Sequence, residues 1–191
     1  MSRRMLLPCC LILLLTWAVA PLQAAKKPHV MLDKDSYSPH LSGNLEGYKN
    51  KEVFLADFEN EAEDTRIWYY YSPDKNTTYE ASPTIQSYLW YCWEKALWKL
   101  DLRRVYRDSS PSGDIPELRL VFTSWSDRNF VGTVTIWKKA AVVFAKTFDV
   151  KFDEPSPAET AQLEQRAYRQ MNGIISTILG DDGVRKVLEA Q

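Results

Sequence analysis

Cysteine and histidine are scarce in this chain of 191 residues, and their scarcity excludes several classes of site. Of the three cysteines, Cys9 and Cys10 lie in the first apolar segment, so Cys92 stands alone in the rest of the chain. One cysteine cannot form an intramolecular disulfide. The two histidines, His29 and His40, do not provide the three or four ligands at fixed spacing that a zinc site needs. We expect neither a disulfide nor a metal site in the mature chain.

The sequence also lacks the motifs that identify several common classes of enzyme. The hydrolase elbow, the phosphate-binding loop and the dinucleotide fingerprint do not occur, and no cofactor is expected. His29 and His40 fall in a segment without regular structure, where nothing is expected to hold a partner at hydrogen-bond distance. The 24 basic and 25 acidic residues leave a net charge of −1, which gives no electrostatic footprint for nucleic acid. We therefore expect a protein that is not an enzyme.

The first 24 residues have the pattern of a secretory signal. Arg3 and Arg4 precede an apolar run, and small residues follow it. We place the cleavage after Ala24. An uncleaved membrane anchor is the alternative, because the run nearly reaches the length of a spanning helix. Cys9 and Cys10 come before most of the run, which disfavours acylation. We expect a periplasmic or secreted protein whose membrane association is only indirect, unless the signal is retained.

Residues 25–50 are interpreted as an irregular leader, and residues 51–191 as a single α+β domain. The first buried strand is expected in the apolar run from Val53 to Phe58. Ser82 and Pro83 are expected to begin a helix, since a hydroxyl can cap it and proline suits its first turn. The spacing predicts that the apolar face of this helix is formed by Ile85, Leu89, Cys92, Ala96 and Leu100.

The second half of the chain predicts strands followed by helices. Apolar and polar residues alternate from Pro116 to Trp125, from Asn129 to Trp137 and from Ala141 to Phe152. Apolar residues then recur at helical spacing from Leu163 to Ile178, and a short terminal helix follows. We expect an antiparallel sheet of about four strands, with two main helices packed on one face and a short C-terminal helix.

Aromatic residues are concentrated at Trp68, Tyr69, Tyr70 and Tyr71. Four consecutive aromatic side chains cannot all point inward from one short strand. Some must be exposed, as at a surface that contacts a sugar, a lipid or a protein. An aromatic-rich edge of the core is the alternative interpretation. We predict that these four residues bind the partner.

Acidic residues cluster after the first predicted strand. Asp57, Glu59 and Glu61 are the best candidates for a catalytic carboxylate pair, because loops at strand ends often carry chemistry. The spacing does not match a calcium loop. A solvated acidic loop is the simpler interpretation, and a hydrolase is the least favoured function.

The order of elements from Val53 onward resembles that of small envelope lipoproteins of Gram-negative bacteria. These include the auxiliary lipoproteins of ABC-type lipid transport systems and the related lipopolysaccharide-assembly lipoprotein fold. The resemblance rests on a strand, a helix, a strand, a hairpin and a closing helix, at Val53 to Phe58, Pro83 to Leu100, Glu117 to Ser124, Val131 to Phe152 and Pro157 to Leu179. In that family an acylated cysteine follows the signal, whereas Ala25 stands here.

The resemblance implies an α+β protein of the cell envelope without catalytic residues. It would act as an accessory or adaptor in envelope assembly or transport, and it would bind an envelope protein or a lipid-like ligand. A glycan-binding module that uses exposed aromatic side chains is the alternative function.

Overall fold

The computed structural model describes residues 27–74, 76–106, 113–155 and 159–190. The segment predicted to be a signal therefore lies outside the described residues. The strands are β1 His29–Leu32, β2 Glu52–Leu55, β3 Glu59–Asn60, β4 Tyr69–Tyr71, β5 Thr78–Ala81, β6 Arg103–Val105, β7 Glu117–Trp125, β8 Asn129–Lys138 and β9 Ala141–Lys151. The helices are α1 Ile85–Lys99, α2 Thr160–Leu179 and α3 Asp182–Glu189, with one 3₁₀ turn at Glu46–Tyr48.

Among the described residues, the larger sheet has six strands, some paired in parallel and some antiparallel. Its order is β6-β2-β7-β8-β9, and β3 pairs with β7 beside β2. The antiparallel meander β7-β8-β9 confirms the predicted hairpins. The expectation of an antiparallel sheet of about four strands is confirmed only in part, because this sheet has six strands and β2 pairs in parallel with both β6 and β7. Parallel neighbours need a long crossover connection, and the segment containing α1 supplies it between β2 and β6.

The meander separates an apolar from a polar face. On β8, Phe130, Val134 and Ile136 are buried, whereas Thr133 and Thr135 alternate with them and are only half-buried. The buried side chains join one apolar core with those of the helices. The sheet therefore has helices on one side, and its other face is largely polar, as the alternation predicts.

A second, three-stranded sheet corrects the prediction for residues 25–50. Strand β1 lies within the segment expected to be irregular, and it pairs in parallel with β5. Val30 and Leu32 are buried, as are Tyr37 and Tyr48 farther along. Four residues that alternate only twice give a weak strand signal. The segment is therefore integrated into the core.

Helix α1 begins later than predicted. The Thr84 hydroxyl oxygen accepts a hydrogen bond from the Ser87 backbone N–H at 3.0 Å, so Thr84 rather than Ser82 is the N-cap. The predicted apolar face is confirmed, with Cys92 fully buried. Burial raises the pKa of the Cys92 thiol, which keeps it protonated. Within the described part of the chain, no helix is long and apolar enough to span a bilayer.

One buried ion pair ties α2 to the turn between β7 and β8. Arg166 and Asp127 are 0% and 1% exposed, and the Arg166 Nη1 lies 2.9 Å from the Asp127 Oδ2. The Arg166 Nη2 donates to the backbone oxygens of Asp127 and Glu154, at 2.8 and 2.9 Å. The Gln170 amide donates to the same Asp127 oxygen at 2.8 Å. Helix α2 is therefore docked by polar contacts as well as by its apolar face.

Removing the Asp127 carboxylate should strongly destabilise the fold. Asp127→Ala leaves the Arg166 guanidinium buried without its counter-ion, and we expect the free energy of unfolding to fall by about 3–5 kcal/mol. Urea denaturation measures it. Arg169→Ala breaks the exposed pair with Glu154 and should cost less than about 1 kcal/mol. Equal losses in the two variants would contradict the proposed importance of the buried pair.

The two-residue turn between β8 and β9 has an unusual backbone. Lys139 and Ala140 have φ angles of 52° and 62°, the left-handed pattern of a type I′ turn. Such turns are usually built from asparagine and glycine. The turn is fixed by its neighbours, because the Lys139 backbone N–H donates to the Gly113 oxygen at 2.9 Å and its ammonium pairs with Asp114. The sequence, lacking glycine here, did not determine this turn type.

Glycine should relieve the unfavourable backbone of this turn. We expect Ala140→Gly to raise the free energy of unfolding by about 0.5–1 kcal/mol, since the left-handed conformation costs an L-residue more than glycine loses in chain entropy. Thermal denaturation measures the change. Ala141→Gly, one residue later in β9, is the matched control and should lower stability. A lower stability for Ala140→Gly would contradict the assigned turn.

Candidate functional site

The candidate site is the outer face of the three-stranded sheet, whose order is β1-β5-β4. Three neighbouring residues, Met31, Glu80 and Tyr69, form one row across it. His29, Thr78 and Tyr71 form a second row, whose side chains point outward in the same direction. We name this surface the aromatic face, and its residues are His29, Met31, Tyr69, Tyr71, Thr78 and Glu80.

Two tyrosines on the edge strand β4 form the aromatic part of this face. The rings of Tyr69 and Tyr71 lie 5.1 Å apart at 64°, an edge-to-face arrangement that orients both rings. Both side chains are half-buried. A hydrogen bond with Tyr69 raises the pKa of Tyr71. The two rings therefore present apolar edges and hydroxyl groups together.

Met31 and a polar pair complete the aromatic face. Met31 is 52% exposed on β1, the edge strand opposite the one that carries the tyrosines. On the same face, the His29 Nε2 lies 2.8 Å from the Glu80 Oε2. The expectation that His29 has no partner is therefore wrong, because β1 brings it next to β5. Alternation at Val30 and Leu32 was the only sequence signal for this juxtaposition.

The structure divides the four predicted aromatic residues into surface and core. Trp68 is 54% exposed at the start of β4, whereas Tyr70 is 1% exposed. Strand alternation turns Tyr70 inward while Tyr69 and Tyr71 turn outward. Tyr70 is therefore removed from the predicted contact surface. Whether the other three residues bind a partner stays a prediction.

Tyr70 packs in the core directly behind the aromatic face. Its ring stacks on Tyr79 at 4.8 Å and on Trp125 at 4.9 Å, with interplanar angles of 7° and 17°. Tyr79 donates its hydroxyl to the Asp127 Oδ2 at 3.3 Å. Burial, with the nearby Asp127 charge, raises the pKa of Tyr79, which keeps this donor protonated. The small sheet is thereby attached to the buried ion pair of Asp127 and Arg166.

The acidic candidates do not form a comparable site. Asp57, Glu59 and Glu61 are all exposed. Asp57 lines a shallow hollow of about 250 Å³ beside Trp90 and Tyr91, and the two glutamates do not line it. Within the described ranges, no group of three histidine, cysteine, aspartate or glutamate side chains is arranged to hold a metal ion. The carboxylates offer no observed acid and base pair.

Comparison with known proteins identifies a similar fold. A crystal structure of a Xanthomonas campestris protein, described by the family model DUF330, has a TM-score of 0.59 at 10% identity, and the match covers 83% of this chain and 95% of that one. A second structure, of an uncharacterized protein, has a TM-score of 0.46 at 12% identity over 80% and 97% of the two chains. No family model and no curated protein matches the sequence. At such low identity the first likeness shows the fold alone.

The assignment of Tyr70 to the core and of Tyr71 to the surface can be tested by measuring the free energy of unfolding. Tyr70→Ala should lower the free energy of unfolding by about 3–5 kcal/mol, because it removes a large side chain stacked between two buried rings. Tyr71→Ala is the matched change on the next residue and should cost less than about 1.5 kcal/mol. Urea denaturation of both variants tests this. Similar losses would contradict the assignment of Tyr70 to the core and Tyr71 to the surface.

Proposed function

We propose that this is an exported accessory or adaptor protein of the bacterial cell envelope, which binds an envelope protein or a lipid-like partner and catalyses no reaction. The signal pattern in residues 1–24 supports export to the periplasm or beyond. The observation that carries the binding role is the aromatic face itself. Tyr69, Tyr71 and Met31 are presented outward from a sheet whose inner side is fixed in the core.

The composition of the aromatic face suits recognition of another molecule. Tyrosine and methionine are enriched at protein interfaces, where they bury a large area and tolerate varied contours. The half-buried rings of Tyr69 and Tyr71 have already lost conformational freedom, which lowers the entropic cost of binding. Glu80 on the middle strand pairs with His29 on β1 and supplies a polar contact between Met31 and the tyrosines. A protein or a lipid-like molecule with an apolar segment fits this surface.

The proposed role in the cell envelope also draws on the resemblance of this sequence to envelope lipoproteins. The fold likeness to the DUF330 protein supports a shared architecture and assigns no activity. Since Ala25 occupies the place of the acylated cysteine, the proposed route to the membrane is indirect, through the bound partner. A retained signal would provide a direct route instead.

Glycan binding is the second candidate function. It is supported by the polar side chains of Thr78 and Glu80 on the strand next to the tyrosines, and of His29 on the strand beyond it. Sugars combine such hydrogen bonds with stacking on aromatic rings. The edge-to-face packing of Tyr69 on Tyr71 leaves no flat platform of two parallel rings, which favours the first proposal. Hydrolysis by a carboxylate pair is less favoured than either.

Partner recovery from envelope extracts tests the proposed face. A variant with Trp68→Ala, Tyr69→Ala and Tyr71→Ala should recover at least about tenfold less of the partner, because it removes the exposed and half-buried aromatic side chains on and just before β4. The matched control is Trp98→Ala, which removes an aromatic side chain that is 74% exposed on α1. It should recover the partner as the unaltered protein does. Circular dichroism confirms that each variant is folded.

Unchanged recovery by the folded triple variant would contradict the proposed surface. Titration with envelope glycans, followed by tryptophan fluorescence, separates the second candidate from the first. Saturable binding of a glycan that the triple variant loses would favour the glycan-binding function. If no glycan changes the fluorescence, the result counts against glycan binding and favours the adaptor function for the aromatic face.

A further inference from the structure

A carboxylate lies in the middle of the aromatic face. Glu80 is the central residue of the row that it forms with Met31 and Tyr69, because β5 lies between β1 and β4. Met31 is exposed on one side of Glu80, and Tyr69 is half-buried on the other. A partner that contacts both of these side chains therefore also covers Glu80. Covering a carboxylate removes it from water, which is costly unless the charge is compensated.

His29 is placed to compensate the charge of Glu80. The His29 Nε2 lies 2.8 Å from the Glu80 Oε2, and the two side chains are 47% and 38% exposed. Histidine is the side chain whose charge ordinarily changes between about pH 5 and 8. The pair therefore has two charge states. With a neutral imidazole its net charge is negative, and with an imidazolium the two charges cancel.

The other ionisable side chains near His29 belong to residue types that keep their charge over this range. Lys27 lies just before β1, Tyr69 and Tyr71 lie on β4, and Arg66 lies close to Tyr71. Lysine, arginine and tyrosine do not ordinarily change charge between about pH 5 and 8. Helix α2 contacts β1 from the inner side, where alternate residues of the strand are buried. Among the described residues of the aromatic face, His29 is therefore the group whose charge responds to pH.

We propose that partner binding at the aromatic face is coupled to protonation of His29, so that the partner binds more tightly as the pH falls. This inference rests on the proposed function of the face. When the partner covers the pair, an imidazolium leaves no net charge beneath it, whereas a neutral imidazole leaves the Glu80 charge uncompensated. Binding therefore favours the protonated form. Because a proton is taken up on binding, the affinity falls as the pH rises.

A cationic group of the partner could compensate Glu80 instead. Two observations favour His29. The Glu80 Oε2 is already engaged by the imidazole. The residues on either side of Glu80, Met31 and Tyr69, fit an apolar surface better than a charged one. The two arrangements differ in their response to pH, since a partner that supplies its own cation has no need of a proton on His29.

Partner recovery from envelope extracts at two pH values tests the coupling. The unaltered protein should recover about fivefold more partner at about pH 6 than at about pH 8. His29→Gln keeps a hydrogen-bond donor that cannot take up a proton, so its recovery should be the same at both pH values. His40→Gln is the matched control, because it changes the histidine that lies outside the face and should keep the full pH dependence. Circular dichroism at both pH values confirms that each variant is folded.

Glu80→Gln provides a second, independent variant. It removes the charge that needs compensation and keeps the shape of the side chain, so recovery at about pH 8 should rise to the level at about pH 6. Equal recovery by the unaltered protein at both pH values would overturn the coupling, and so would a pH dependence that persists in His29→Gln. Either result leaves the aromatic face itself intact as a binding surface, provided that the folded Trp68, Tyr69 and Tyr71 triple variant loses the partner. Undiminished recovery by that triple variant would contradict the proposed surface and this coupling together.

Discussion

The buried contact between Asp127 and Arg166 is the interaction on which the arrangement of this protein depends. An unpaired charge in the core would be very costly, so each residue requires the other. Asp127 lies in the turn between β7 and β8, whereas Arg166 lies on α2, 39 positions later in the chain. Tyr79 adds the three-stranded sheet to the same contact. One polar centre thus fixes the meander, the long helix and the small sheet relative to one another.

This centre explains how a small sheet can present a defined surface. Three short strands are marginally stable by themselves and need a packed face. Here Tyr70 on the inner face stacks on Tyr79 and Trp125, and Tyr79 donates to the Asp127 carboxylate of the ion pair. Because Tyr70 anchors β4 in the core, the neighbouring residues Tyr69 and Tyr71 are held in place on the opposite face. The proposed binding surface is therefore supported from behind by buried aromatic contacts, which suits the proposed adaptor role.

Local sequence patterns predicted the regular elements better than their arrangement. The alternation through β8 and the helical spacing through Ile85 and Leu89 each reflect burial of one face, so both could be recognised. The parallel pairing of β2 depends on distant strands and has no local pattern. Strand β1 was too short to be recognised, which hid the contact of His29 with Glu80. The aromatic run was predicted as a unit, but only pairing with β5 decides that Tyr70 turns inward.

A photo-reactive amino acid at position 71 tests the central claim most directly, because it reports contacts at the aromatic face in the living cell. The same probe at Thr123, an exposed position on the polar face of the larger sheet, is the control. The account predicts that irradiation links position 71 to one defined envelope protein or lipid-like molecule, and that position 123 gives no such product. The same product from both positions, or from position 123 alone, would contradict a binding role for the aromatic face.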